Sequence, residues 1–202
     1  MKLHFSATSP YVRKVVVVAA ETGLSDRIEW VTPATSGAAA IGAVNPLAKV
    51  PALVTDDGVI LYDSPVICEY LDSLHDGEKM FPGGGGARWN ALRIQALGDG
   101  ILDAGLLVVM EGRRENEAER SAGFVDFQKR KIASALDALE AEASSFGGGP
   151  DIGTITVGCA LGYVDFRLGD LAWRSTRPAL AAWFEGQSTR PAMAASVPKD
   201  PG

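Results

Sequence analysis

Residues 49–74, KVPALVTDDGVILYDSPVICEYLDSL, constrain the fold more than any other stretch of the chain. Two short apolar runs, PALVT and VILYD, flank Asp57-Gly58, and Asp-Gly between such runs is a strong hairpin signal. Ser64-Pro65 follows at once. A serine before a proline reads as a helix start, with the hydroxyl as cap and the proline at the first helical position. The segment therefore predicts strand, turn, strand and then a helix running to about Leu74.

The same device opens the chain. KLHFS (2–6) alternates and reads as a short strand. In SATSPYVRKVVVVAAETG (6–23), four consecutive valines favour a strand by propensity. Ser9-Pro10 nevertheless starts a helix, Gly23 stops it, and Val12, Val15, Val16 and Ala19 share one helical face. The expectation is a buried helix. IEWVTP (28–33) reads as a second strand, and the Ala/Gly/Ser-rich residues 34–48 as irregular chain with room for one short helix. The first 78 residues thus run β-α-β-loop-β-β-α. GEKMFPGGGGARWN (77–90) is linker-like, and from Arg88 onward the pattern is helical. ARWNALRIQALGDGILDAGLLVVMEGRREN forms one long helix or two segments, and SAGFVDFQKRKIASALDALEAEASSF another. Asp151 caps a third, with Thr154 a weak back-bonding partner. RPALAAWFEGQSTRPAM closes the chain as one helix. The expected organisation is 1–78, a linker over 79–87, and an all-helical unit over 88–202.

Charge excludes some functions. Residues 1–78 carry 5 Lys/Arg against 10 Asp/Glu, and the rest 14 against 15, so no basic face awaits a nucleic acid and anionic membranes are repelled. No signal peptide or run of membrane-span length is present, so the expected location is cytoplasmic. Cys68 and Cys159 lie far apart in apolar surroundings and read as buried free thiols. Two Cys and two His without ligand spacing make no metal set. His4 and His75 have no partner visible in the sequence and read as structural. GGGGAR lacks the Gly-Lys-Ser/Thr ending of a phosphate loop. RRENEAER (113–120) reads as a solvated charge run.

Several residues have two readings. Pro51 is an ordinary strand-opening proline or a cis bend that stops sheet pairing and leaves the Val50 backbone free for an added strand. Ser64 is an N-cap or, with the helix N-terminus behind it, a carboxylate site. Asp63 is a solvated turn acid or the partner of an ammonium group. Lys49 is a surface lysine or a ligand contact. Asp99 and Asp103, four apart, are a polar helix face or a working pair of carboxylates.

NPLAKVPALVTDDGVILYDSPVICEYLD (45–72) resembles the glutathione-binding segment of cytosolic glutathione S-transferases nearly position for position. TSPYVRK (8–14) resembles the active-site turn of their bacterial serine-type members, and the final segment their closing helix. The resemblance covers the whole chain. It implies a thioredoxin-like N-terminal domain, a helical-bundle C-terminal domain, a homodimer, and a detoxification role without a metal, using glutathione as co-substrate. On this resemblance Val50–Pro51 is cis, and Val50 pairs with the cysteinyl backbone of glutathione. Lys49 lies near that backbone and the glycyl carboxylate, Asp63 and Ser64 hold the γ-glutamyl end, and Asp99 reaches the partner subunit's glutathione across the dimer. Ser9 donates a hydrogen bond to the glutathione sulfur. Moving a thiol from about 8.5 to about 7 requires about 2 kcal/mol. Ser6, Thr8 and Tyr11 are the alternative hydroxyls on the turn. Leu106, Met110 and Trp173 border the pocket of an apolar electrophile or pack in the core. Relatives that bind glutathione without turnover, or that serve as protein-interaction modules, share the same fold.

Overall fold

The structure is a computed structural model that describes residues 1–32, 40–147 and 149–199. Part of the irregular segment expected over 34–48 lies outside these residues. The elements are β1 (Lys2–His4), α1 (Pro10–Glu21), β2 (Glu29–Val31), α2 (Ala40–Val44), β3 (Ala52–Val54), β4 (Ile60–Leu61) and α3 (Ser64–Ser73). Then come α4 (Gly85–Gly112), α5 (Ala122–Glu142), α6 (Ile152–Arg167), α7 (Pro178–Ser188) and α8 (Pro191–Ala195). The sheet order is β2-β1-β3-β4. β1 runs parallel to β2 through the α1 crossover and antiparallel to β3, with Leu3 opposite both Trp30 and Leu53. β3 and β4 form the expected hairpin, with Leu53 opposite Leu61. Gly58 adopts φ +85° at its turn, a conformation that glycine takes without steric cost.

β4 is shorter than VILYD because its two ends do other work. Thr55 closes the hairpin, its Oγ1 accepting from the Val59 N–H (2.8 Å) while its N–H donates to the Val59 carbonyl (2.9 Å). At the far end Tyr62 and Asp63 turn the chain into α3. After α3, Asp72 ties down the next segment by accepting from the N–H groups of Met80 (2.7 Å) and Phe81 (3.1 Å). His75 does have a partner, with Nε2 3.1 Å from the Asp72 carboxylate.

α1 is buried more completely than its predicted stripe. Val12, Val15, Val17, Val18 and Ala19 are buried, but so are Arg13 and Lys14, while Val16 is partly exposed. The reason is that α1 is enclosed. α3, α4, α6 and α8 all pack against it. Leu3, Leu53, Ile67 and Leu71 complete this part of the core.

The helical unit is built on α4 and α6. α4 is a single helix, and it begins at Gly85, within the segment read as linker. The two helices approach closely at glycines: a Cβ at Gly153 would sit 2.7 Å from the Ala91 carbonyl oxygen, and one at Gly98 3.2 Å from the backbone of α6. α6 starts with a full capping box. The Asp151 carboxylate accepts from the Thr154 N–H (2.8 Å), and the Thr154 hydroxyl accepts from the Asp151 N–H (2.9 Å). The closing helix is two helices rather than one, because α7 ends at Ser188 and Pro191, which has no N–H to continue the ladder, begins α8. Trp173 belongs to the core, 2% exposed with its indole N–H on Asp165 (2.8 Å), whereas Met110 is exposed.

Both cysteines are free and buried. Burial pushes the Cys68 thiol up to about 12 and the Cys159 thiol to about 11, so neither forms thiolate near neutrality. Ellman's reagent at pH 8 is expected to label neither cysteine in the native protein and both in denaturant. Rapid native labelling of either would contradict this packing.

Candidate functional site

Sheet register brings three separate stretches to one place. Since His4 pairs with Ala52 and Leu53 with Leu61, the chain leaving β1, the chain entering β3 and the chain leaving β4 all lie at the same sheet end. These are the turn before α1, residues 49–51, and residues 62–64.

The turn before α1 carries Ser9. Its N–H donates to the Ser6 carbonyl (3.1 Å), and its Oγ accepts from the Val12 N–H (3.3 Å) as the N-cap of α1. The Ser9 hydroxyl proton has no acceptor among the described residues, so capping and donation to a ligand are compatible. Ser6 and Thr8 face each other, with hydroxyls 3.4 Å apart. Tyr11 donates its phenol proton to Asp103 on α4. Burial, then that bond and the acids Asp103 and Asp99, push the phenol far above its ordinary value.

At the mouth of β3 the Val50–Pro51 peptide is cis. The Val50 N–H and C=O make no hydrogen bond to another described residue, which leaves a backbone donor and acceptor side by side. Lys49 is exposed, and its carbonyl accepts from Asn45 Nδ2 (2.8 Å).

Ser64 is not the N-cap of α3. Asp63 occupies that position, without a side-chain capping bond, and Ser64 is the first helical residue. The hydroxyl therefore makes no capping bond to the helix N–H groups that it was expected to satisfy. It is 1% exposed and has no partner among the described residues. Asp63 is exposed beside it.

Sequence reasoning passes over Lys14, which holds the site together. Its side chain is fully buried, and Nζ lies 2.6 and 2.8 Å from the two oxygens of Asp99, which is 20% exposed. Burial pushes the Asp99 carboxyl up and Lys14 pulls it back down, with burial the larger influence. Asp103 and Asp63 are close enough to push in the same direction as burial. The available signal was a pair of cations, Arg13 and Lys14, inside a valine run that leaves no polar face.

Comparisons with known proteins identify the family. The glutathione S-transferase N-terminal domain matches residues 8–74, and the glutathione S-transferase C-terminal domain residues 111–186. An uncharacterized GST-like protein of Escherichia coli K12, YibF, is 35% identical over 202 residues, spanning 98% of each chain. A glutathione transferase family member from Pseudomonas fluorescens Pf-5, crystallised with bound glutathione, is 44% identical with a TM-score of 0.94, covering 98% of this chain and 99% of its own. A second crystal structure from that bacterium, holding S-(propanoic acid)-glutathione, superposes with a TM-score of 0.91 at 44% identity over 99% of this chain and all of its own. With a thioredoxin-like sheet unit joined to a helical unit, the chain belongs to the glutathione S-transferase family.

Proposed function

We propose that the protein is a glutathione transferase that binds glutathione at the sheet end and adds its thiolate to an electrophile held against the helical unit. The observation that carries this reading is the buried, unpartnered Ser64 hydroxyl at the N-terminus of α3. A buried hydroxyl without a partner is unfavourable in the free protein. A carboxylate arriving there meets that hydroxyl, the free N–H groups of the first turn and the positive end of the helix dipole.

The other roles follow from position. The γ-glutamyl carboxylate sits on Ser64, with its ammonium toward Asp63. The cysteinyl backbone pairs with Val50 beside Pro51, and Lys49 attracts the glycyl carboxylate. Ser9 donates its free proton to the sulfur. Tyr11 is a poorer donor, because its proton is already given to Asp103. The glutathione unit is residues 1–78, joined through 79–87 to the helical unit 88–202. In a homodimer, Asp99 reaches the partner subunit's glutathione with the part of its carboxylate that Lys14 leaves open. The homodimer uses exposed Val59, Ile60, Val66 and Trp89. The electrophile pocket lies between Tyr11 and the exposed Leu107 and Met110 of α4. The relative holding S-(propanoic acid)-glutathione supports a chemistry in which sulfur becomes bonded to carbon. No helix among the described residues is long and apolar enough to cross a membrane, and the proposed setting is cytoplasmic detoxification.

An ultraviolet difference titration of glutathione against the protein across pH tests this reading. A saturable thiolate signal, titrating well below the solution pKa, is expected. Binding without a pKa shift would indicate a carrier, and no binding at millimolar glutathione would indicate a protein-interaction member.

Ser64→Ala separates ligation from folding. The hydroxyl has no partner among the described residues of the free protein, so its removal is expected to leave urea unfolding unchanged or to raise stability by up to about 1 kcal/mol. Glutathione affinity is expected to fall about tenfold, the loss of one charge-assisted hydrogen bond. A large stability loss with unchanged affinity would assign the hydroxyl to the fold instead.

A further inference from the structure

Arg13 lies one turn beyond Ser9 on α1, and its backbone N–H donates to the Ser9 carbonyl (3.0 Å). Its side chain is buried, the residue being 7% exposed. Nε donates to Ser196 Oγ (3.3 Å) and Nη2 to the Met193 carbonyl (3.2 Å). Nη1 has no partner, and among the described residues no carboxylate is paired with this guanidinium. Burying a charge against neutral oxygens alone is unfavourable. The neighbouring cations are compensated: Lys14 by Asp99, and Arg190 by Glu21 (2.9 Å).

A glycine on α6 makes room for this charge. A Cβ at Gly162 on α6 would lie 2.1 Å from Nη1, so any other residue there displaces the guanidinium. Arg13 lines one tightly packed seam with Thr8, Ser9, Pro10, Cys159, Tyr163 and Pro198, too narrow to admit water. The buried cation is therefore packed into the same seam as the candidate hydroxyl, and any action on a thiolate there is through space rather than by contact. The Arg13 charge also acts on the Cys159 thiol, pulling it down against the larger effect of burial.

We propose that Arg13 is a positioning residue for the reaction, supplying a positive charge, without a carboxylate partner among the described residues, that stabilises the glutathione thiolate formed against Ser9. This rests on the assignment of Ser9 above. The thiol proton leaves to solvent, and the electron pair stays on sulfur within the field of Arg13. The other groups facing α1 do not supply this charge. Lys14 is neutralised by Asp99. Asp103 and Asp63 oppose a thiolate, as does any ionisation of Tyr11, Tyr163, Cys68 or Cys159.

The experiment measures the pKa of bound glutathione by its thiolate absorbance, together with kcat/KM against pH. It compares wild type with Arg13→Met, Arg13→Gln, Arg13→Lys, Gly162→Ala and Ser196→Ala. The bound thiol is expected to rise by about one pH unit in Arg13→Met, Arg13→Gln and Gly162→Ala, with kcat/KM near neutrality down about tenfold. Arg13→Lys is expected to restore most of the shift, and Ser196→Ala, which loosens the chain end but keeps the charge, to leave the thiol unmoved. If Arg13→Met does not fold, Arg13→Gln decides, since it can still donate hydrogen bonds but carries no charge. An unchanged pKa in the neutral variants beside an activating wild type would overturn the role of Arg13 and leave Ser9 standing. A Ser196→Ala shift as large as that of the neutral variants would make Arg13 only an anchor of the chain end, and would also overturn it. A wild type that binds glutathione without lowering its pKa would overturn both assignments.

Discussion

Replacing Ser9 by alanine is expected to cut conjugation at pH 7 by ten- to a hundredfold while leaving glutathione affinity within about threefold. The hydroxyl proton is free, whereas the groups proposed to hold the tripeptide, at Val50, Asp63 and Ser64, are elsewhere on the sheet end. Without the donor, the bound thiol rises part of the way from about 7 toward about 8.5, since Arg13 remains, and its reactive fraction at pH 7 falls from about half to about a tenth. Loss of sulfur orientation adds to that. The variant is therefore expected to recover most of its rate above pH 9, where the thiol ionises unaided. The lost cap on α1 removes about 1 kcal/mol, so assays belong well below the unfolding temperature. Steady-state rates with a chromogenic electrophile, measured across pH beside the thiolate titration, check all three statements. Full activity at pH 7 in Ser9→Ala would transfer the role to Ser6 or Thr8.

Asp99→Asn is expected to be the most destabilising single change near the site, by about 3–5 kcal/mol in urea unfolding. Lys14 is fully buried on the helix that carries Ser9, and both Asp99 oxygens are its counter-charge. Removing the carboxylate leaves an ammonium group uncompensated inside the protein. Lys14→Met is expected to lose less, because a thioether suits the site and the Asp99 carboxylate keeps some access to water. The double replacement Lys14→Met with Asp99→Leu is expected to recover most of the loss, since an ion pair in such a place stabilises little over an apolar pair. A double-mutant cycle measures the coupling. Additive losses would mean that the two side chains act independently. The pair also fastens α1 to α4, so the variants that lose stability are expected to weaken glutathione activation along with the fold.

Local patterns in the sequence carried the strand and helix order of the first 78 residues. Asp57-Gly58 marks the hairpin, Ser9-Pro10 the start of α1, and Asp151 with Thr154 the start of α6. Each works through neighbours within four residues, which is the range that a reader of sequence can see. The break between α7 and α8 was marked in the sequence by Pro191 after the polar stretch GQSTR, yet the segment reads as one helix. Strand ends were less legible, because β4 stops where Thr55, four residues from Val59, takes over its hydrogen bonds.

Other features arise only where distant segments meet. The Ser64-Pro65 pair announced a helix start, yet whether the hydroxyl would cap it depended on backbone direction at Asp63, and the result is an unpartnered buried oxygen. Asp99 looked like part of a polar face, until packing against α1 put a lysine from 85 positions away onto both its oxygens. Nothing in the local pattern around Arg13 shows that its guanidinium would be buried against Gly162 on α6. The order of elements and the residue types at the sheet end follow from local sequence, because capping, turn chemistry and periodicity are short-range effects. Tertiary structure decided which charges are compensated and which hydroxyls are free, because burial and pairing depend on what the rest of the chain brings alongside.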